Sequence, residues 1–304
     1  MKILLLGGNG YIGSKFYESY KDSYDMLSFD LCLFGKDLGH SVKINMRELV
    51  DVGLSQYDAI VCLAGHSSVQ MCEYSPDRSW INNVEYFRKL CDGITSNTKL
   101  IYASSASVYG SLTTVSNEAM PINFDTINHY DLQKITIDLI ANQYIKRGKN
   151  IVGLRFGTVN GVSPNTRSEL MLNSMVKSAI ETRRVHMKNP HIRRSILGIN
   201  DLVRVLDRVV RNDVSCGQYN LASFSSTVGD MAKFVCEKTS AMLITHPNDP
   251  VSYDFEISTN KILTELKDFV FHDTIDSIVD ELHSKYHDLV YDTRMNDGNF
   301  VRYV

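Results

Sequence analysis

Ser105, Tyr130 and Lys134 are the side chains whose types and spacing could move a proton. Tyr130 and Lys134 lie four apart in the run HYDLQK, so a helix stacks both on one face. Ser105 follows the apolar run Leu100 to Ala103 in IYASSASVYG, the pattern of a buried parallel strand ending at an active-site edge. A tyrosine hydroxyl, with an ordinary pKa of about 10, is a poor base at neutral pH. Lowering it by about three units takes roughly 4 kcal/mol of preference for the phenolate. One ammonium about 4 Å away supplies roughly that at an effective dielectric near 20. The expectation is that Lys134 turns Tyr130 into a working acid/base, with Ser105 hydrogen-bonding the same substrate oxygen.

A second pattern lies at the amino terminus. The apolar run Lys2 to Leu6 leads directly into Gly7-Gly8-Asn9-Gly10-Tyr11-Ile12-Gly13. Glycines at 7, 10 and 13 allow a tight turn, close backbone approach to a pyrophosphate and close packing of the next helix. That helix, over about 11–20, points its positive end at the phosphates. Asp30 closes a second apolar run, seventeen residues past Gly13. A carboxylate there accepts from ribose hydroxyls and repels a 2′-phosphate, so the pattern reads NAD rather than NADP. The plain alternative is a glycine turn in an unrelated α/β protein.

The elements that must position these residues alternate. Strands are predicted near 2–6, 25–29, 42–44, 58–63, 98–103 and 150–155, with helices near 11–20, 77–95 and 126–148. Later come helices near 168–183, 227–239 and 274–286 and a strand at 217–221. This order predicts an α/β fold, a doubly wound parallel Rossmann sheet with a smaller C-terminal α/β substrate lobe. A chain of 304 residues with 43% hydrophobic content can bury a large core. A net charge of −3 offers no broad basic surface, which argues against nucleic acid and acidic membrane as partners. The six cysteines lack metal-type pair spacing, so no metal is expected; Cys32, Cys62 and Cys91 read as reduced core thiols. The opening apolar stretch is too short for a signal peptide, which makes the cytoplasm the expected location. The stretch after 287 has no clear period and reads as a loosely held tail.

In order, GGNGYIG, Asp30, VCLAGHSSV, Asn83 in NNVEYF, SSASVYG, YDLQK, LRFGTVNG and RRSILGINDL resemble the extended short-chain dehydrogenase/reductase family. The likeness is to its NAD-dependent sugar-nucleotide epimerase/dehydratase branch, and runs to about residue 281. It implies an NAD-binding domain over 1–160 plus about 194–215, a substrate lobe over 161–193 and 216–287, and a tail over 288–304. It implies catalysis by Ser105, Tyr130 and Lys134. It implies cofactor contacts from Gly7, Gly10, Tyr11, Ile12, Gly13, Asp30, Asn45, Met46, Leu63, Ala64, Gly65, Asn83, Tyr130 and Lys134. Substrate contacts implied are Ser105, Ser107, Thr158, Arg167 and Arg194, with Pro164 and Asn165 as further candidates. His66, beside the cofactor loop, reads as a packing or substrate-positioning residue rather than a catalytic one.

The reaction implied is redox-neutral epimerisation of a nucleotide-activated sugar, by transient oxidation of a ring hydroxyl, at C4, with retained NAD. The runner-up is reduction of a keto-sugar nucleotide. A 4,6-dehydratase is disfavoured because Ala106-Ser107 stand where such relatives carry an Asp-Glu pair, and the intact Ser-Tyr-Lys set disfavours a non-catalytic binder. On the helix carrying Tyr130, the residues Ile137, Ala141 and Tyr144 should face the sheet. Leu132, Ile135 and Leu139 form an opposite stripe that a lone globule would expose, and a homodimer through this helix is the expected way to cover it. A loop covering the stripe is the alternative.

Overall fold

The apolar runs of the first half of the chain pair with one another. The computed structural model describes residues 1–45, 48–49, 53–111, 114–122, 128–212, 214–248 and 253–292. In chain order the strands are β1 Lys2–Leu6, β2 Asp25–Asp30, β3 Ser41–Lys43, β4 Ala59–Cys62, β5 Lys99–Ser105, β6 Ile151–Phe156 and β7 Thr158–Asn160. There follow β8 Thr166–Arg167, β9 Arg184–Met187, β10 Arg193–Gly198, β11 Gly217–Leu221, β12 Phe224–Thr227, β13 Met242–Thr245 and β14 Tyr291–Asp292. The helices are α1 Tyr11–Tyr20, α2 Val69–Tyr74, α3 Pro76–Trp80, α4 Tyr86–Gly93, α5 His129–Ile145, α6 Met171–Thr182, α7 Ile199–Arg211, α8 Val228–Thr239, α9 Asn260–Glu265 and α10 Ile275–Ser284.

Seven parallel strands form the main sheet in the order β11-β6-β5-β4-β1-β2-β3. The chain steps outward from β1 to β3, then returns to the other side of β1 and steps away again. The reversal between β1 and β4 opens a crevice at the carboxyl ends of the strands, where such sheets bind ligands. Alternate side chains serve the two faces. Ile3, Leu5, Val61, Ile101 and Leu154 pack with Phe16 of α1 and with Leu202, Val205, Leu206 and Val209 of α7. Leu4, Leu6, Ile60, Leu100 and Tyr102 pack with Phe87 and Leu90 of α4 and with Ile137, Ala141 and Tyr144 of α5. Each fully buried Leu, Ile, Val or Phe among them contributes about 1.5–3 kcal/mol.

The segment 199–211 thus returns to the first layer, and so does more of the chain than the boundary near 216 implies. Strand β11 is the outermost strand of the main sheet beside β6. Ile262 and Leu266, at and just after α9, join the core of its first face. The smaller lobe holds the sheet β12-β10-β7 and the pairs β13-β9 and β14-β8. Its own core includes Leu172, Val176, Ile196, Met231, Val235, Val279 and Leu282. The predicted helix over 77–95 is α3 and α4 joined by a π-helical turn, Ile81–Glu85, and α2 was not foreseen. Of the C-terminal tail, β14 pairs with β8; residues 293–304 lie outside the described residues.

The stripe on α5 is partly covered by the chain itself. Ile135 is buried among Val108, Tyr109, Phe255 and Ile257, whereas Leu132 and Leu139 are exposed. All six cysteines are free. Among the described residues no helix is long and apolar enough to cross a membrane, and no cluster of three or more metal-ligating side chains occurs.

Candidate active site

The crevice begins where β1 ends. Gly7 has φ +86°, and a Cβ there would meet Ala64 N at 2.7 Å; a Cβ on Gly13 would meet the Gly7 carbonyl oxygen at 2.1 Å. Only glycine permits both this turn and this approach of helix to loop. Gly10 caps α1 without a side chain, so the first amides and positive end of the helix remain available to an anion. At the end of β2, Asp30 accepts from Asn9 N at 3.0 Å and from Cys32 N at 2.8 Å. Each of its oxygens keeps capacity for a further donor.

These residues line a cleft of about 530 Å³. Of the predicted cofactor residues, Gly7, Gly10, Tyr11, Ile12, Gly13, Asp30, Asn45, Leu63, Ala64 and Gly65 line it; Met46 lies outside the described residues. Tyr11 serves it with backbone, because its hydroxyl donates to Gly161 O at 2.8 Å and so ties α1 to the lobe. Asn83 acts from behind, on the π-helical turn. It accepts from His66 N at 2.8 Å, donates to His66 O at 3.0 Å, and donates to Gln133 Oε1 of α5 at 2.7 Å. Helical π turns recur at functional sites.

Asn9, Arg78, Asn82 and Ser67 also line the cleft, as does His66, which the sequence placed beside the cofactor loop; Arg78 and Asn82 were not foreseen. For Arg78 and Asn82 the available signal was their four-residue spacing, which puts both on one helical face. Asn165, a candidate for substrate contact, has its amide engaged within the protein. Its Oδ1 accepts from Lys36 N at 2.9 Å and its Nδ2 donates to Asn9 O at 2.7 Å and Lys36 O at 2.9 Å. The buried amide is thereby spent on holding the segment after β2 against the glycine loop.

The proton-moving residues gather beside the cleft, at the end of β5. Ser105 and the charge of Arg167 both act on the Tyr130 hydroxyl. Arg167 lines the cleft, pairs with Glu169 at 2.7 Å and reaches Ser67 Oγ at 3.3 Å. Lys134 Nζ stands 5.6 Å from the Tyr130 ring centre and donates to Ala103 O at 2.8 Å. The expected lowering of Tyr130 is not found in this arrangement. Protein crowding its hydroxyl pushes Tyr130 up to about 12, against the opposing pull of Ser105 and Arg167. Lys134 is itself pulled down by burial. The physical reason is burial, which disfavours the phenolate by more than Ser105 and Arg167 favour it.

The other predicted substrate residues divide. Ser107 belongs to the group, with its Oγ 2.8 Å from Ser105 Oγ. Thr158 opens β7 in the small sheet, opposite Ile196, and is not part of the cleft lining. Arg194 lies over the rings of Tyr253 at 5.8 Å and Phe255 at 5.5 Å, where burial pulls its pKa down. Neither residue comes to the cleft, but Tyr253 connects Arg194 to the catalytic helix through Asp131, at 2.5 Å.

A family model described as NAD dependent epimerase/dehydratase family matches residues 3–222. The UDP-glucose 4-epimerase of Mycoplasma genitalium is 28% identical over 206 residues, or 59% of this chain and 60% of that protein. The match therefore spans less than two thirds of that relative's length. Among solved structures, MoeE5 in complex with UDP-glucuronic acid and NAD superposes with a TM-score of 0.82 at 17% identity, over 95% of this chain and 99% of that one. The NAD-dependent NDP-hexosamine 5,6-dehydratase TunA superposes with a TM-score of 0.83 at 19% identity, over 94% and 98%. At such identities the structural likeness is one of fold.

Proposed function

The chain belongs to the NAD dependent epimerase/dehydratase family, and on that premise we propose that it is a redox-neutral epimerase of a nucleotide-activated sugar, acting at a ring hydroxyl, C4. What supports this reading is Lys134 Nζ 5.6 Å from the Tyr130 ring centre, Ser105 at the end of β5, and a glycine-floored cleft whose wall includes Arg167, the charge that acts on Tyr130. NAD fits that cleft: a Cβ on either Gly7 or Gly13 would collide with backbone, and the Asp30 carboxylate stands where adenosine ribose hydroxyls would donate. When bound, NAD supplies reversible oxidation of the ring carbinol.

Tyr130 takes the hydroxyl proton and later gives it back. Proton transfer is efficient when the group's pKa lies near the working pH, so a residue raised to about 12 must be brought down during turnover. Lys134 is the cation within reach, 5.6 Å from the ring centre, and leaving Ala103 O for the phenol would supply the missing charge. Ser105 orients the substrate oxygen between them. Arg167, a cation of the cleft wall whose charge acts on Tyr130, suits an anionic part of the substrate through its planar fork. The exposed Leu132 and Leu139 of α5 support a homodimer through that helix. Ala106 and Ser107 supply no carboxylate for eliminating water, which favours epimerase over dehydratase. Mass spectrometry of ligands released from purified protein, then NMR of a sugar-nucleotide panel, tests the reading. It expects NAD and interconversion of two epimers without net change in NADH. Stoichiometric consumption of added NAD(P)H would replace it with a reductase.

A further inference from the structure

The segment that follows β2, Leu31 to His40, is neither helix nor strand, yet side chains from distant parts of the chain pin it down. Asn9 of the glycine loop and Asn165 of the lobe, each 1% exposed, hold its middle. Asn165 Oδ1 accepts from Lys36 N at 2.9 Å, and its Nδ2 donates to Lys36 O at 2.9 Å and to Asn9 O at 2.7 Å. Asn9 Nδ2 donates to Lys36 O at 3.1 Å, and its Oδ1 accepts from Leu38 N at 3.0 Å. A Cβ on Gly35 would stand 2.6 Å from Asn165 Oδ1, so the backbone lies flush on that amide. At the far end His40 stacks on Tyr17 of α1, with ring centres 3.9 Å apart, and its Nε2 lies 3.0 Å from Gly8 O.

The near end of the segment reaches the opposite wall of the cleft. Phe34 packs on Met71 of α2, which is 3% exposed, and both side chains line the cleft. In the sheet, β1 stands between β2 and β4. The segment after β2 and the helix that follows β4 therefore meet across the glycine loop that follows β1. That loop is where a pyrophosphate binds in such folds. Phe34 touches Met71 as protein on protein, so their contact needs no ligand atom to form. It has to part when a molecule as large as a dinucleotide passes.

We propose that the segment 31–38 is a strap across the dinucleotide cleft, latched by Asn165 and clasped by Phe34 on Met71, and that the opening of this clasp limits how fast the dinucleotide enters and leaves. The latch joins residues 129 apart in the chain, so the strap is held by the lobe as well as by the glycine loop. The proposal rests on NAD as the cofactor of the cleft, not on the epimerase reading. A clasp and a ligand contact differ in their kinetics. Losing a contact to the ligand weakens binding chiefly through faster exit. Losing a clasp speeds entry and exit together, because the same protein contact opens in both directions, and it leaves the dissociation constant much less changed.

Stopped-flow fluorescence of NADH measures both rates on the full chain stripped of dinucleotide: entry on mixing with NADH, exit on chasing with excess NAD. Phe34→Ala and Met71→Ala should each raise both rates by about tenfold, equivalent to about 1.4 kcal/mol of opening barrier. The double variant should be no faster than the faster single one, because one clasp is broken once. Asn165 and Gly35 are not among the residues that line the cleft, so Asn165→Ala and Gly35→Ala test the latch without removing a ligand contact. Both should show the same paired rise. Faster exit with unchanged entry in Phe34→Ala would make that ring an ordinary ligand contact and overturn the proposal. Wild-type rates in both latch variants, or additive gains in the double variant, would overturn it too. If Asn165→Ala does not fold, Gly35→Ala decides for the latch by the same criterion. A protein that binds no NADH would also overturn it. Absence of sugar-nucleotide turnover would defeat only the epimerase reading and leave the two rates to judge the strap.

Discussion

Asn83 clasps the His66 peptide at both ends, accepting from its N–H at 2.8 Å and donating to its carbonyl at 3.0 Å. The clasp holds the loop after β4, where Gly65 has φ +135° and a Cβ would stand 2.4 Å from Asn83 Oδ1. Gln133 of α5 orients the same amide, so the catalytic helix and the cofactor loop share one polar joint. Replacing Asn83 by Leu leaves the buried His66 N–H without its acceptor, a cost of about 1–3 kcal/mol. The expected outcome is about tenfold weaker dinucleotide binding in a fluorescence titration, with kcat at saturating dinucleotide changed much less. An unchanged dissociation constant would remove the clasp from the cofactor site.

Tyr130→Phe keeps the ring and removes the phenol hydroxyl on which Ser105 and Arg167 act. Turnover should drop by at least about 10³-fold, in keeping with loss of a positioned acid/base, while dinucleotide remains bound. Because Tyr130 is raised to about 12 with Lys134 engaged elsewhere, Lys134→Met should also reduce kcat strongly. Retention of wild-type turnover in Tyr130→Phe would defeat the assignment.

Gly13→Ala probes the floor of the cleft. Its Cβ would fall 2.1 Å from the Gly7 carbonyl oxygen and 2.8 Å from Gly8 Cα, both backbone, so no side-chain rotation relieves the clash. The variant should lose dinucleotide binding and unfold at lower temperature than the wild type. Calorimetry with and without NAD separates the two losses, and full NAD stabilisation in the variant would argue against a pyrophosphate at this turn.

The glycine loop, Asp30 and the Tyr-Lys helix were legible because each depends on spacing along one short segment. The positions of the parallel strands followed from their apolar runs, which bury both faces of the sheet; their order in the sheet came from the structure. What sequence could not supply were contacts between distant segments. Asn165 resembles a substrate residue until the structure brings it 2.7 Å from Asn9 O, 156 residues away. Ile135 looks exposed on a helical wheel, yet the 253–257 segment covers it. The direction of the Tyr130 shift was missed for a related reason: spacing brought the lysine near, but only the fold shows how deeply the phenol is buried.

Asp273 predicts a pH dependence of stability. It locks the strand-to-helix turn into α7 by accepting from Asp201 N at 2.9 Å, while Asp201 Oδ2 accepts from Asp273 N at 2.8 Å. Burial raises the Asp273 pKa, with the Asp201 backbone bond opposing. A carboxyl raised in the folded state binds its proton more tightly there than in the unfolded chain. Its contribution is therefore fully present below the unfolded carboxylate pKa and is lost as pH rises through the folded value. Asp273→Asn removes this term. Between mildly acid and neutral pH, the wild type should lose more melting temperature than the variant; equal slopes would assign the pH dependence to other groups.

The catalytic helix is anchored by a charge pair that water does not reach. Asp138, one turn beyond Lys134, accepts from Arg155 Nε of β6 at 2.8 Å, with both side chains under 10% exposed. Tyr102 donates to the other carboxylate oxygen at 2.8 Å, and Arg155 Nη1 continues to the Tyr109 hydroxyl at 2.8 Å. Such a pair need not raise stability above that of a well-packed apolar pair, because desolvation offsets much of the attraction. Breaking it is different. Asp138→Ala leaves the Arg155 guanidinium buried without its counter-charge and should destabilise by about 3–5 kcal/mol, measured by urea unfolding. Asp138→Leu combined with Arg155→Met removes both charges and should recover most of that loss. If the double variant were as unstable as the single, the penalty would come from lost packing under α5, and the electrostatic account of the anchor would be wrong.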